Sequence, residues 1–146
     1  MALISINPAT CEEIKSYDEH SVSEINDILY KTKCAQREWS LLELDFRLQC
    51  LNQISGILLD KKREYASIMA GEMGKPINQA MGEIEKCAWL CDYYKENATE
   101  FLCDKLIDTQ YHKSFVTIQP IGLILGIMPW NFPFWQVFRF AIPVLL

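Results

Sequence analysis

Through the first hundred residues, apolar positions recur every three or four residues, and the pattern then changes character twice. Val22, Ile25, Ile28, Leu29, Ala35 and Trp39 share one helical stripe. It opens at Ser21-Val-Ser-Glu24, a capping box in which the serine hydroxyl and the glutamate carboxylate each serve the other residue's backbone N–H. Ser40-Leu-Leu-Glu43 repeats that spacing and predicts a second helix carrying Leu44, Leu48, Leu51, Ile54 and Leu58. A third helix, from about Lys61, presents Tyr65, Ala66, Ile68 and Met69 and stops at Gly74 and Pro76. Pro76 can also open a fourth, which runs to roughly Cys103 with Ala80, Ile84, Cys87, Cys91, Ala98 and Phe101 along one face. The length of that helix suits a layer better than a small bundle.

Residues 112–119 then alternate and are rich in β-branched side chains, which predicts a strand closed by Pro120-Ile-Gly122. From residue 121 to 146 there is one charge, Arg139, in 26 residues. Two readings compete for that stretch. As a membrane span it would carry Pro129, Pro133 and Pro143 in its backbone and Asn131, Gln136 and Arg139 at bilayer depth, which opposes that reading. The alternative is a buried strand at 123–128, a sharp Pro-Trp-Asn-Phe-Pro turn, and a buried helix from Pro133. An unbroken apolar strand followed by a helix is the pattern of a parallel sheet covered on both faces, so the expected class is α/β. Ala141-Ile-Pro-Val-Leu-Leu146 shows no glycine cap, basic last turn or polar tail, and reads as a domain interrupted midway.

Charge sharpens this division. The 146 residues carry 14 basic and 19 acidic side chains, a net charge of −5, and every acid lies at or before Asp108. The longest basic run is Lys61-Lys62-Arg63, too short to track a phosphate backbone, so nucleic acid is excluded as a partner. The start, Met1-Ala-Leu-Ile-Ser-Ile-Asn-Pro8, lacks the basic and apolar regions of a signal peptide, and the six cysteines are too dispersed for a disulfide scaffold. Reduced thiols in a cytoplasmic protein are the expectation.

Three constellations bear on chemistry. Cys87 and Cys91 have the i, i+4 spacing of two metal ligands, but His20 and His112 are isolated, which favours core cysteines and no metal. Arg139, set among apolar neighbours, needs an anion or a path to water: it either reaches solvent or an acid of the first 108 residues, or meets a ligand carboxylate. Asn131 is either a turn former or an amide placed to donate to a developing oxyanion.

Ile127-Met-Pro-Trp-Asn-Phe-Pro133 resembles the Pro-Trp-Asn-Phe-Pro signature of the NAD(P)-dependent aldehyde dehydrogenase superfamily. Asn7-Pro-Ala-Thr10, with Cys11 where the family usually has glycine, Glu72-Met-Gly-Lys-Pro76 and Pro120-Ile-Gly122 resemble further family segments in the same order. Residues 131–146 are especially similar to the bacterial, NAD-preferring succinate-semialdehyde dehydrogenases.

The resemblance implies an aldehyde dehydrogenase-like α/β fold. Residues 1–120 would form an amino-terminal helical region with an oligomerisation-type strand near 112–119. Residues 121–146 would begin the cofactor-binding α/β domain. It further implies an oxidoreductase taking a small aldehyde with a distal carboxylate, NAD or NADP as cofactor, and a homo-oligomer. Asn131 would donate to the thiohemiacetal oxyanion, Ile127, Met128, Pro129 and Trp130 would line the nicotinamide side of the cleft, Phe132 and Trp135 would wall the aldehyde tunnel, and Arg139 would meet the carboxylate. The family's nucleophilic cysteine, general-base glutamate, ribose-binding lysine and glycine-rich cofactor loop have no counterparts here. This chain alone is therefore expected to be inactive, to bind the cofactor weakly, and to aggregate through uncovered apolar faces at 123–128 and 134–146. The competing expectation is a non-catalytic interaction module, or a decayed gene product, docking through its apolar tail.

Overall fold

A computed structural model describes residues 3–146. Strands β1 (Leu3–Ile6) and β2 (Glu13–Tyr17) form an antiparallel hairpin, Leu3 opposite Tyr17, with an irregularity between Ser5 and Ile6. The hydrophobic pattern gives no sign of it, because both strands are largely exposed and neither face alternates in burial. The turn is organised by Asn7, whose Oδ1 accepts the Ala9 N–H at 2.9 Å and whose carbonyl accepts the Cys11 N–H at 2.8 Å. Cys11 takes φ 61°, the left-handed region in which a Cβ is strained, and so occupies a position suited to glycine.

Helix α1 (Val22–Trp39) starts on the expected capping box: Ser21 Oγ accepts the Glu24 N–H at 3.2 Å, and Glu24 Oε2 accepts the Ser21 N–H at 2.7 Å. The hydrogen bonds from Ser21 hold the Glu24 carboxyl below its usual range. The apolar stripe of α1 is not buried, however; Val22, Ile25, Ile28 and Leu29 all face solvent. Ser40 does not cap the second helix. It is still helical and closes α1, its N–H donating to the Gln36 carbonyl and its hydroxyl to that of Arg37, both at 2.9 Å. Its oxygen is therefore unavailable to α2 (Leu44–Asp60), which begins after Glu43 with no side-chain cap.

Helix α3 (Lys62–Met73) ends at Gly74 in the left-handed conformation, φ 71°, its N–H donating to the Ala70 carbonyl. Ile68 on α3 is exposed, whereas Ala66 and Met69 are buried. Pro76 then introduces α4 (Ile77–Leu102), 26 residues long, as the sequence predicts. Two residues of strand, β3 (Lys105–Leu106), pair antiparallel with β4 (Phe115–Val116), all that forms of the strand expected at 112–119.

The strand expected at 123–128 does not form. Ile121, Leu125 and Ile127 are more than 80% exposed, because a strand exists only through pairing and no strand lies beside this one among the described residues. The helix from Pro133 does form, as α5 (Pro133–Leu145) with the proline in its first turn. At 13 residues α5 is too short for a bilayer, and no helix of the described residues is long and apolar enough to cross one.

Helices α2, α3 and α5 all pack on α4, whose Ile84, Cys87 and Cys91 are the largest fully buried side chains. Small residues at Ala80, Cys87, Ala88 and Cys91 let the neighbouring helices approach closely. Leu51 and Leu58 of α2, Ala66 and Met69 of α3 and Ile142 of α5 complete that core. Residues 134–146 are thus partly covered: Phe134, Trp135, Phe138 and Leu146 lean on the core, Val137, Val144 and Leu145 stay exposed, and further exposed apolar side chains lie at 121–127 and along α1.

Two substitutions test this assignment by urea unfolding. Ile84→Ala is expected to cost about 2–4 kcal/mol, against less than about 0.5 kcal/mol for Val22→Ala; equal losses would remove α4 from the centre of the core. Cys11→Gly is expected to raise stability by about 0.5–1 kcal/mol, the left-handed strain relieved less the entropy of glycine, and a loss would mean the turn is not strained.

Candidate functional site

Every helix begins with N–H groups that have no partner within the helix, and α5 has no side chain of its own to satisfy them because its N-cap is Phe132. The acceptor comes from α4. Glu83 Oε1 receives the N–H groups of Phe134 and Trp135, each at 2.9 Å, while Oε2 pairs with the Lys75 ammonium. Both side chains are buried, at 7% exposure for Lys75 and 2% for Glu83. A carboxylate at this helix end also meets the positive end of the helix dipole. Lys75 Nζ reaches the Asn131 carbonyl at 3.5 Å and lies 3.9 Å from the centre of the Phe132 ring. One buried ion pair therefore holds the Trp130-Asn131-Phe132 turn against α4.

Beside this turn is a cleft of about 560 Å³ lined by Lys75, Gln79, Gly82, Glu83, Lys86, Phe132, Trp135 and Gln136. Of the residues singled out in the sequence, Phe132 and Trp135 face into it, and Asn131 is fixed at its edge through its backbone. The Asn131 side chain is exposed and makes no hydrogen bond to any described residue, so its amide N–H groups are available to a ligand. Ile127, Pro129 and Trp130 are exposed and Met128 half-buried, in irregular chain leading into the turn. That chain runs tightly past α5: a Cβ on Gly126 would lie 2.7 Å from Phe140 Cε1. Arg139, one helical turn beyond Trp135, is exposed and forms no ion pair or hydrogen bond with the described residues. It is therefore open to solvent and has no acid partner among the described residues.

The sequence pattern did not single out Lys75 beyond its motif, nor Glu83 and Lys86. Glu83 carried a signal, since it lies three residues after Ala80 and four before Cys87, an acid within the core-facing stripe. Lys86 carried none, because one lysine on a polar helix position is ordinary. Lys86 Nζ lies 3.8 Å from the centre of the Trp135 ring.

All six cysteines are unpaired. Burial pushes the Cys87 thiol up to about 12, with Glu83 adding to it, and burial also pushes Cys91 up to about 11. Neither is a thiolate at neutral pH, so both are packing groups without nucleophilic character. No group of three or more His, Cys, Asp or Glu that could hold a metal occurs among the described residues.

Removing Glu83 strands a buried ammonium and two N–H groups, so Glu83→Ala is expected to cost about 3–5 kcal/mol; the double change Lys75→Met with Glu83→Leu should cost clearly less than Glu83→Ala. Equal costs would mean that the charges are not desolvated. For the thiols, a disulfide reagent at pH 8 is expected to modify Cys11 and Cys103 quickly and to reach Cys87 and Cys91 only on unfolding. Both buried thiols titrate above the ordinary 9.0, so the fold favours their protonated forms. Their contribution is full below pH 9 and is lost as pH rises from there towards the folded values.

The sequence profile of the aldehyde dehydrogenase family matches residues 2–146. Over 146 residues the chain is 42% identical to a probable succinate-semialdehyde dehydrogenase (NADP(+)) of Synechocystis sp., covering 100% of this chain and 32% of that protein. It is 38% identical over 143 residues to a succinate semialdehyde dehydrogenase (NAD(P)+) of Escherichia coli, covering 98% of this chain and 31% of the other. Its backbone matches the crystal structure of succinic semialdehyde dehydrogenase from Streptococcus pyogenes in complex with NADP+ with a TM-score of 0.92 and 32% identity, over 97% of this chain and 31% of that one. The chain spans about a third of the length of these relatives. Its helical layer, hairpins and α5 match part of their α/β architecture, and with a family profile aligned to all but the first residue, the chain belongs to the aldehyde dehydrogenase family.

Proposed function

We propose that these residues form the oxyanion turn and one wall of the aldehyde cleft of an NAD(P)-dependent succinate-semialdehyde dehydrogenase. The observation that carries this reading is the Lys75–Glu83 clamp, which presents Asn131 with an unengaged amide at the rim of a cleft walled by Phe132 and Trp135. An amide N–H is a neutral donor, and when an aldehyde carbon becomes tetrahedral the charge growing on its oxygen strengthens that hydrogen bond more than it was in the ground state. Phe132 and Trp135 exclude water from the chain of the substrate. Arg139, with its planar fork and no protein acid attached, suits a carboxylate at the far end of the molecule.

The exposed apolar run Ile127, Met128, Pro129 and Trp130 fits the face of a flat nicotinamide ring, and residues 121–146 would begin the domain that binds it. When bound, NAD or NADP supplies the hydride acceptor. The two cysteines nearest the cleft in sequence, Cys87 and Cys91, have raised pKa values and do not provide a nucleophile. The 146 residues by themselves are therefore proposed to be inactive.

The test joins these residues to the remaining two thirds of the Synechocystis relative. In that chimera Asn131→Ala is expected to lower kcat by about 10²–10³-fold. Arg139→Ala is expected to raise KM for succinate semialdehyde by about tenfold or more while hardly changing that for butanal. Equal effects on the two aldehydes would refute the carboxylate role, and normal turnover by the 146-residue chain alone would refute its inactivity.

A further inference from the structure

The charges around the cleft do not all cancel. Lys75 is neutralised by Glu83, and the other oxygen of Glu83 is taken up by the two N–H groups of α5. Glu85, next to Lys86 in sequence, is engaged by Lys62 at 2.6 Å. Lys86 therefore lines the cleft with no acid against it among the described residues, its ammonium lying 3.8 Å from the centre of the Trp135 ring. An ammonium has three N–H donors, and a ring face engages it through weak charge–quadrupole attraction, of about 0.5–1 kcal/mol at exposed sites, so a carboxylate can bind the same group without displacing it from the indole.

Position adds to charge. Lys86 lies over the Trp135 face from α4, and Arg139 follows one turn further along α5, a rise of about 6 Å, outside the cleft lining. Gln136 offers an uncharged amide on the same wall.

We propose that Lys86 is a second anion-binding and specificity-determining residue of the cleft, holding the carboxylate of a short ω-carboxylate ligand against the Trp135 face. The identity of the ligand rests on the function proposed above; the binding of an anion by Lys86 does not. In this arrangement Arg139 gives directional, two-pronged hydrogen bonds and Lys86 a compact point charge.

The experiment uses the 146-residue chain and observes the ligand, by saturation transfer to, and line broadening of, the methylene protons of succinate, with butane-1,4-diol as the uncharged control. Succinate is expected to bind saturably and the diol not. Lys86→Gln is expected to weaken succinate binding about fivefold to tenfold, and Lys86→Arg to preserve it. Because Lys86 is exposed, far-ultraviolet circular dichroism should be unchanged in both variants. Equal binding by Lys86→Gln and the parent, equal transfer to succinate and the diol, or no transfer to succinate would each overturn the proposal. Loss on Lys86→Gln together with an Arg139→Ala chimera that treats both aldehydes alike would leave Lys86 in place and remove Arg139. The converse result would remove Lys86 and leave the proposed activity standing.

Discussion

The candidate site depends on one carboxylate. Glu83 is buried on α4, and its two oxygens satisfy three donors: the first two free N–H groups of α5 and the ammonium of Lys75. Without it α5 would begin at Phe132 with no cap, and Lys75 would be a desolvated cation. With it, the helix that carries Trp135 and Arg139 and the turn that carries Asn131 are referred to a single point on the central helix. A buried ion pair is poor evidence for stability as such, since well-packed apolar residues often do as well. Its effect here is orientation: a carboxylate can accept from two helical N–H groups at 2.9 Å only if α5 enters from one direction.

What was legible in the sequence follows from which interactions are local. The Ser21 capping box, the stop at Gly74 and the start after Pro76 are contacts within a few residues, and they formed as expected. Ser40 shows the limit of that reasoning. The spacing of a capping box was present, but the preceding turn claimed the hydroxyl first. The first hairpin was missed for the opposite reason, since its strands bury little and leave no alternation to read. Even there the sequence held a clue, because Cys11, where relatives of this pattern usually carry glycine, is the one non-glycine residue at positive φ among those described.

Strand 123–128 and the α1 stripe failed together. Apolar periodicity reports which face wants to be covered, never what covers it. Residues 123–128 have the composition of a buried strand, and the stripe of α1 the spacing of a buried helix face, yet both are largely exposed: Gly126 passes close to Phe140 with no strand to pair with among the described residues, and of the α1 stripe Trp39 reaches another helix, its indole N–H donating to the Leu145 carbonyl. On α5 the same kind of apolar sequence is partly covered, because α4 presents a complementary face and Ile142 enters the core. The site was half legible in the same sense. Its motif residues, Asn131, Phe132 and Trp135, stand out in sequence, whereas Glu83 and Lys86 become part of it only when α4 and α5 pack.

Charge along the cleft then has a direction. At the end near Phe132 and Asn131, Lys75 is cancelled by Glu83 and the available group is a neutral amide; towards Trp135, Lys86 has no acid against it among the described residues. A neutral ligand feels little preference between the two ends. On the proposed function, a molecule with an aldehyde at one end and a carboxylate at the other would be held one way round, because reversal would set its fixed negative charge beside buried, already paired Glu83 and leave Lys86 unsatisfied. On the proposed function, the ion pair that anchors the turn would thus also remove a competing positive charge from beside the Asn131 amide, so that the carbonyl would be positioned by the far carboxylate and the amide would remain free to strengthen its hydrogen bond as charge develops on the oxygen.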